Sequence, residues 1–239
     1  MTRLRSERTM TETPLAAPPS PRTFRRPTLP PPVTPPVAGL AAPVVSTSEV
    51  VAAAPRSQLS VSEELVVDGD IAEALWSIYA ESMGPLDQVA AMKQLESKEL
   101  MLERFANPEI IKVVGWDGDE PVGLGLLTRN MDLVGEVSPD FFANQFPEQA
   151  ARNAIYYGMS VLVKPTQRGL TMFSRIYIAM WQIPANLAGV LIFDMCQFNR
   201  DVVGADKIVE TIAGNFPKSK WSIIDQQSWY AAELPEPLR

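Results

Sequence analysis

The run Lys164-Pro165-Thr166-Gln167-Arg168-Gly169 has the makings of a phosphate-binding turn. A proline ends a strand, a basic side chain follows, and a glycine opens a helix whose first backbone amides can wrap an anion. Other side chains with chemical potential are few: Tyr156 and Tyr157 precede the turn, Asp194 and Cys196 follow it, and Tyr230 lies near the end of the sequence. There is no histidine, so the commonest general base and the commonest metal ligand are both absent. A zinc site and a Ser-His-Asp triad are excluded. Any proton transfer falls to carboxylate, tyrosine or ordered water.

Each candidate has a second, purely structural reading. Tyr156 and Tyr157 are adjacent, so in a strand one faces a cleft while the other packs under a helix. Asp194 interrupts the apolar run Val190-Leu191-Ile192-Phe193, where an isolated buried carboxylate is costly without a partner or a function. Cys196 shares a strand face with Asp194 by parity, but a lone cysteine in an apolar strand is ordinarily an inert core residue. As the single cysteine it also rules out an intramolecular disulfide framework. Phe141, Phe142 and Phe146 either line a pocket or pack in a core, the usual fate of aromatic residues. Glu136, Asp140 and Glu148 read as a solvated acidic loop.

Periodicity supplies the elements that must hold these residues. A first strand is expected over 59–67, with Asp68-Gly69-Asp70 as turn and helix cap. A helix carrying Ile71, Leu75, Ile78 and Tyr79 then runs to Met83 and stops at Gly84-Pro85. A second helix is expected over 89–106, and a hairpin follows, its strands 110–116 and 121–127 joined by Asp117-Gly118-Asp119-Glu120. Ser138-Pro139-Asp140 opens a short helix inside the long connection 128–153. Beyond it the pattern predicts a buried strand over 154–163, an apolar helix over 169–183 and a strand over 187–198. An amphipathic helix from Ala205 to Phe216 and a last strand over 221–234 complete the series.

Composition divides the chain near Ser57. Twelve of the 22 prolines lie at or before Pro55, and residues 1–57 hold seven arginines against Glu7, Glu12 and Glu49. Residues 1–57 therefore read as a disordered, basic, proline-rich leader. Within a total of −7, the remaining residues 58–239 carry −11, which repels phosphate backbones and argues against nucleic-acid binding by the folded part. The leader offers a surface for an acidic or other protein partner. With neither a secretory signal nor an uninterrupted apolar span, the sequence reads as a cytoplasmic chain without a membrane partner. It leaves room for a homodimer.

The element order, together with Pro165 and Gln167-Arg168-Gly169 between the central strand and its helix, resembles the GNAT superfamily of N-acetyltransferases over roughly residues 59–234. The hairpin 113–123 is similar to that family's second and third strands, 163–169 to the start of its acyl-CoA motif, and 190–199 to its fifth strand. The resemblance implies an α/β fold with a mixed, mainly antiparallel central sheet flanked by helices. It also implies transfer of an acetyl or longer acyl group from acyl-CoA to a small-molecule or peptide amine by direct attack. Leu162, Val163, Arg168, Gly169, Leu170, Thr171, Phe173 and Asn199 would then contact the acyl-CoA, and Tyr157, Asp194 and Tyr230 would be the catalytic candidates. Thr171 and Phe173 stand where the family's motif has small residues, and a phenyl ring there crowds a pyrophosphate unless it turns into the core. The contrasting expectation is a non-catalytic interaction module that keeps the fold and recruits a partner through the leader.

Overall fold

The computed structural model describes residues 59–92, 94–165 and 169–233. The expected leader, residues 1–57, lies outside them, as do Thr166, Gln167 and Arg168 of the turn. Five strands form one sheet in the order β1 (Leu59–Glu64), β2 (Ile110–Asp117), β3 (Glu120–Thr128), β4 (Ile155–Val163), β5 (Val190–Ile192). The first four are antiparallel, whereas β4 and β5 run parallel. This is the mixed, mainly antiparallel sheet that the sequence implied. The hairpin closes through Asp117 opposite Glu120, and Gly118 takes the left-handed conformation (φ +65°) that such a two-residue connection demands.

Helices cover both faces. On one lie α1 (Gly69–Met83) and α2 (Lys98–Ala106), burying Leu75, Ile78, Tyr79, Met101 and Phe105 against Ile110, Val114, Leu124, Leu126 and Leu162. On the other lies α5 (Gly169–Ala185), which sets Met172, Ile176 and Met180 over Val113, Leu127 and Tyr156. Its opposite side meets α6 (Ala205–Ala213) through Tyr177, Val209 and Ile212. An apolar helix needs cover on two sides, and these two contacts provide it.

Glycine sets the height of α5. Gly115, Gly123 and Gly125 lie beneath it on β2 and β3. A Cβ on Gly123 would stand 2.6 Å from Ile176 Cδ1, one on Gly125 2.5 Å from Met180 Sδ, and one on Gly115 would run into Met172. The helix therefore rests almost on the backbone of the sheet.

Three expected elements differ. The helix read over 89–106 begins at Lys98, because the preceding backbone is held by side chains instead. Asp87 Oδ1 accepts from the amides of Gln94 (2.7 Å) and Leu95 (3.2 Å), and the Tyr79 hydroxyl donates to Gln94 O (3.0 Å) and accepts from Glu96 N (3.1 Å). Such bonds compete with the helical ladder until Ser97 caps α2 by accepting from Leu100 N. The strand read over 187–198 shrinks to three residues, because Gly189 must pass within a Cβ's reach of Ala154 O (2.5 Å) and β4 diverges after Tyr157. The strand expected over 221–234 is absent among the described residues, where 221–233 have no regular structure. Ser138 does cap α3 (Pro139–Gln145), which is followed by α4 (Pro147–Ala151). Among the described residues no helix is long and apolar enough to cross a membrane.

Candidate active site

The site begins with one extra residue in β4. Leu126 pairs with Ser160 and Leu127 with Gly158, so Met159 has no partner in β3 and forms a bulge. Tyr157, Met159, Ser160 and Leu162 consequently face the α1 and α2 side, while Tyr156, Val161 and Val163 face α5. Two neighbours, Met159 and Ser160, share one face where ordinary alternation would separate them.

The bulge also opens the sheet. β4 and β5 pair only from Ile155–Val190 to Tyr157–Ile192, after which β5 ends. Farther along β4, Lys164 N donates to Val122 O (2.8 Å), so by alternation Leu162 and Ser160 also direct their backbone polar groups toward β3. The groups of Val161 and Val163 turn to the opposite side, where no β5 residue is paired with them. Leu162, expected to offer its backbone to a ligand, thus spends it on the sheet, and Val161 takes the outward orientation beside Val163.

Above the bulge is a cleft of about 250 Å³. Tyr79, Met83, Met92, Gln94, Glu96 and Arg104 form one wall, Val134, Gly135 and Glu136 another, and Leu126, Tyr157, Met159, Ser160 and Asp194 the floor. The long connection 128–153 contributes a wall through Val134, Gly135 and Glu136, and the facing wall comes from α1, α2 and the segment between them. The Tyr157 hydroxyl donates to the Asp194 carboxylate. Burial pushes the Tyr157 phenol far above its ordinary range, and the Asp194 charge, their hydrogen bond and the Glu136 charge act in the same direction. Tyr157 therefore remains a protonated donor at physiological pH. Arg104 is ion-paired with Glu96 at 3.2 Å. Among the described residues it is the one cation lining the cleft, and Glu136 and Asp194 are in no described ion pair. Ser160 Oγ is buried with no hydrogen-bond partner.

Only part of the expected set converges here. Tyr157 and Asp194 meet, but Asp194 is an exposed residue, not the buried carboxylate its apolar neighbours suggested. Tyr230 does not line the cleft and is 94 % exposed. Tyr156 packs under α5, as one of two adjacent strand tyrosines must. Phe142 is buried and Phe141 and Phe146 pack beside it against Met131, Ile155 and Ile192, so these rings are core. Asn199 opens a π-helical turn (Asn199–Val203) whose backbone is tied by Gly204 N to Asn199 O, and Gly204 is the residue that caps α6.

At the start of α5, Gly169 is buried because a Cβ there would lie 3.0 Å from Lys164 O, while Leu170 and Thr171 are exposed. Phe173 turns toward α6. Its ring lies 5.3 Å from that of Tyr177, in a cluster with Val161, Phe193, Met195 and Val209. The ring thus takes the inward orientation that leaves the first turn of α5 uncrowded by it.

Tyr79, Gln94, Glu96, Arg104, Glu136 and Ser160 were not expected in a site. A signal existed for Ser160, since Gly158-Met159-Ser160 interrupts an otherwise β-branched and aromatic strand, a mark of a bulge. Tyr79 and Arg104 stand on α1 and α2, where helical spacing marks no cleft, Gln94 and Glu96 lie between those helices on backbone that side chains hold out of a helix, and Glu136 lies on the 134–136 loop.

No family model matches the chain, and no curated protein matches it. Among solved structures, an aminoglycoside acetyltransferase from an uncultured soil metagenomic sample, crystallised with sisomicin, aligns with 73 % of this chain and 97 % of its own at 9 % identity and a TM-score of 0.43.

Proposed function

We propose that this chain is an acyl-CoA-dependent N-acyltransferase of the GNAT kind, acting on an amine bound in the cleft above β4. The observation that carries the reading is the bulge at Met159, which coincides with the end of β5 and leaves the backbone of Val161 and Val163 facing an unpaired edge. Such an edge suits an extended amide-bearing chain, which gains hydrogen bonds as an added strand does. The exposed first turn of α5 suits the pyrophosphate of the same ligand, through the amides of Gly169, Leu170 and Thr171 and the positive end of a 17-residue helix.

When bound, acyl-CoA supplies a thioester carbonyl. The acceptor nitrogen attacks that carbon, a C–N bond forms as the C–S bond breaks, and the leaving thiolate takes up one proton. The second proton of the original ammonium passes to solvent. Tyr157 would give its one hydroxyl proton, held on the Asp194 carboxylate before reaction, to the thiolate and take one back from the attacking nitrogen. The acidic walls favour the approach of a protonated amine.

A second reading, a non-catalytic interaction module, draws on one observation. Phe173, Tyr177, Phe193 and Met195 pack together beside Val161, so the α5 side of the opening is occupied by protein side chains. Isothermal titration of the full chain with acetyl-CoA and with longer acyl-CoAs separates the two. Saturable one-to-one binding supports the transferase, and absence of heat with every acyl-CoA overturns it in favour of the module.

A further inference from the structure

We infer that residues 221–230 form the interface of a homodimer, in which two copies meet at the open outer edge of β5 and each lays its tail across the other. The inference is independent of the chemistry proposed above, because no residue of β5 or of the tail lines the cleft.

Two segments of strand-like sequence lack a ladder in the single chain, and they lie side by side. β5 is the last strand of the sheet and stops at Ile192. Val190 N donates to Ala154 O (2.9 Å), so by alternation Leu191 turns its N–H and C=O away from β4, to the side where no strand follows. The second segment, 221–233, makes no backbone hydrogen bond to any described element. The rings of Phe193 and Trp221 stack at 5.4 Å and 17°, which sets the start of the tail beside the end of β5. An edge without a strand and a strand without an edge thus meet at one contact.

Ile223 is 70 % exposed and Trp229 64 %, with Tyr230 almost bare, and such a run of large apolar side chains on a surface marks an interaction site. β5 can absorb only part of it. Three residues of a chain's own tail, 222–224, match the length of β5, and Trp229 then stands five positions, about 17 Å, past Ile224 in an extended chain. The aromatic pair therefore overhangs its own sheet and needs a surface from another molecule. A second copy suits it because the contact is self-complementary: each copy brings the same open edge and the same overhanging rings to a twofold axis. Trp229 and Tyr230 expose on the order of 300 Å² per tail, and exchanged between two copies, with an equal area covered on each receiving surface, they hide about 1,200 Å², the lower bound of a stable interface. Charge permits the approach. Although residues 58–239 carry −11, the stretch from Trp221 to Tyr230 includes a single charge, Asp225.

The test is sedimentation velocity of the full chain across the micromolar range, where a concentration-dependent species of twice the chain mass is expected. The double substitution Trp229→Ser with Tyr230→Ser, at two exposed rings, should weaken the dimer by about a hundredfold or more and leave the far-ultraviolet circular dichroism unchanged. Val66→Ser, at an exposed apolar residue on the connection after β1, the opposite edge strand, should leave the dimer as it is. Hydrogen exchange at the Leu191 amide should slow as the dimer forms and speed again in the double variant. A monomer at every concentration, a dimer that the double substitution leaves intact, a dimer weakened equally by Val66→Ser, or a dimer without protection at Leu191 would each overturn the proposal. A chain that stays monomeric and co-sediments with phosphatidylcholine vesicles through the same two rings would overturn it in favour of a lipid surface.

Discussion

Replacing Lys112 by methionine should change how stability depends on pH, and the size of the change follows from where the lysine sits. Its side chain is fully buried on β2, with Nζ donating to Leu65 O at 2.8 Å and to Asn107 O at 2.6 Å. Two carbonyls stabilise the ammonium without neutralising it. Burial lowers its pKa from 10.5 to about 8, and no carboxylate opposes this. Between those two values the unfolded chain binds a proton that the folded chain does not, so stability rises with pH through that window and is independent of Lys112 below it. Integrated across the window, the effect is on the order of 3 kcal/mol, of which about 2 kcal/mol accrues between pH 7 and 9.5. Urea unfolding of wild type and Lys112→Met at pH 7, 8, 9 and 9.5 isolates this contribution, because all other titrating groups cancel in the difference. The wild type should gain on the variant by about 2 kcal/mol over that range. Parallel curves would refute the reasoning and show that Lys112 titrates alike in both states.

Three further outcomes are expected. Burial raises the Tyr177 phenol well above 10.0, so its contribution to stability is intact below pH 10 and lost as pH rises toward the folded value; Tyr177→Phe should flatten the alkaline decline in unfolding free energy. Gly125→Ala, which sets a methyl group against Met180, should cost about 1–3 kcal/mol in denaturant unfolding, whereas Gly135→Ala, with open space around it, should cost far less. Phe173→Ala should lower stability by roughly 2 kcal/mol through lost packing on Tyr177, measured by thermal unfolding, and leave acetyl-CoA affinity unchanged because the ring faces the core.

The parts of this fold that obey a period were legible in the sequence. The hairpin around Gly118, the capped start of α3, and the succession of β4 and α5 all follow from alternation, proline and glycine. The misread parts are those where a tertiary contact overrides a local pattern. Residues 89–97 have helical spacing, yet Asp87 and Tyr79 capture their backbone. Residues 193–198 and 221–233 have strand-like composition, yet β5 loses its neighbour after Ile192, and Phe193 instead stacks on Trp221. The candidate site was half visible for the same reason. Tyr157 and Asp194 announce themselves by type, while Glu136 reaches the cleft through a loop and Arg104 through the way α2 packs beside it. Asp194 was expected to be buried because its neighbours are apolar, but the early end of β5 leaves it exposed in the cleft.

The bulge at Met159 acts as a change of phase along a single strand. Before it, odd-numbered residues face the cleft; after it, even-numbered residues do, so Tyr157 and Leu162 lie on one side although five positions separate them. Deleting Met159 would set Gly158 beside Ser160 and restore strict alternation, so Ser160 and Leu162 would keep the cleft face and Val161 and Val163 the α5 face. What would go is the second cleft-facing side chain and the local bend and twist that an extra residue gives a strand. The extra residue therefore governs the path of β4 past the end of β5, and a chain shorter by one at this point would keep the side chains of its floor while losing that bend.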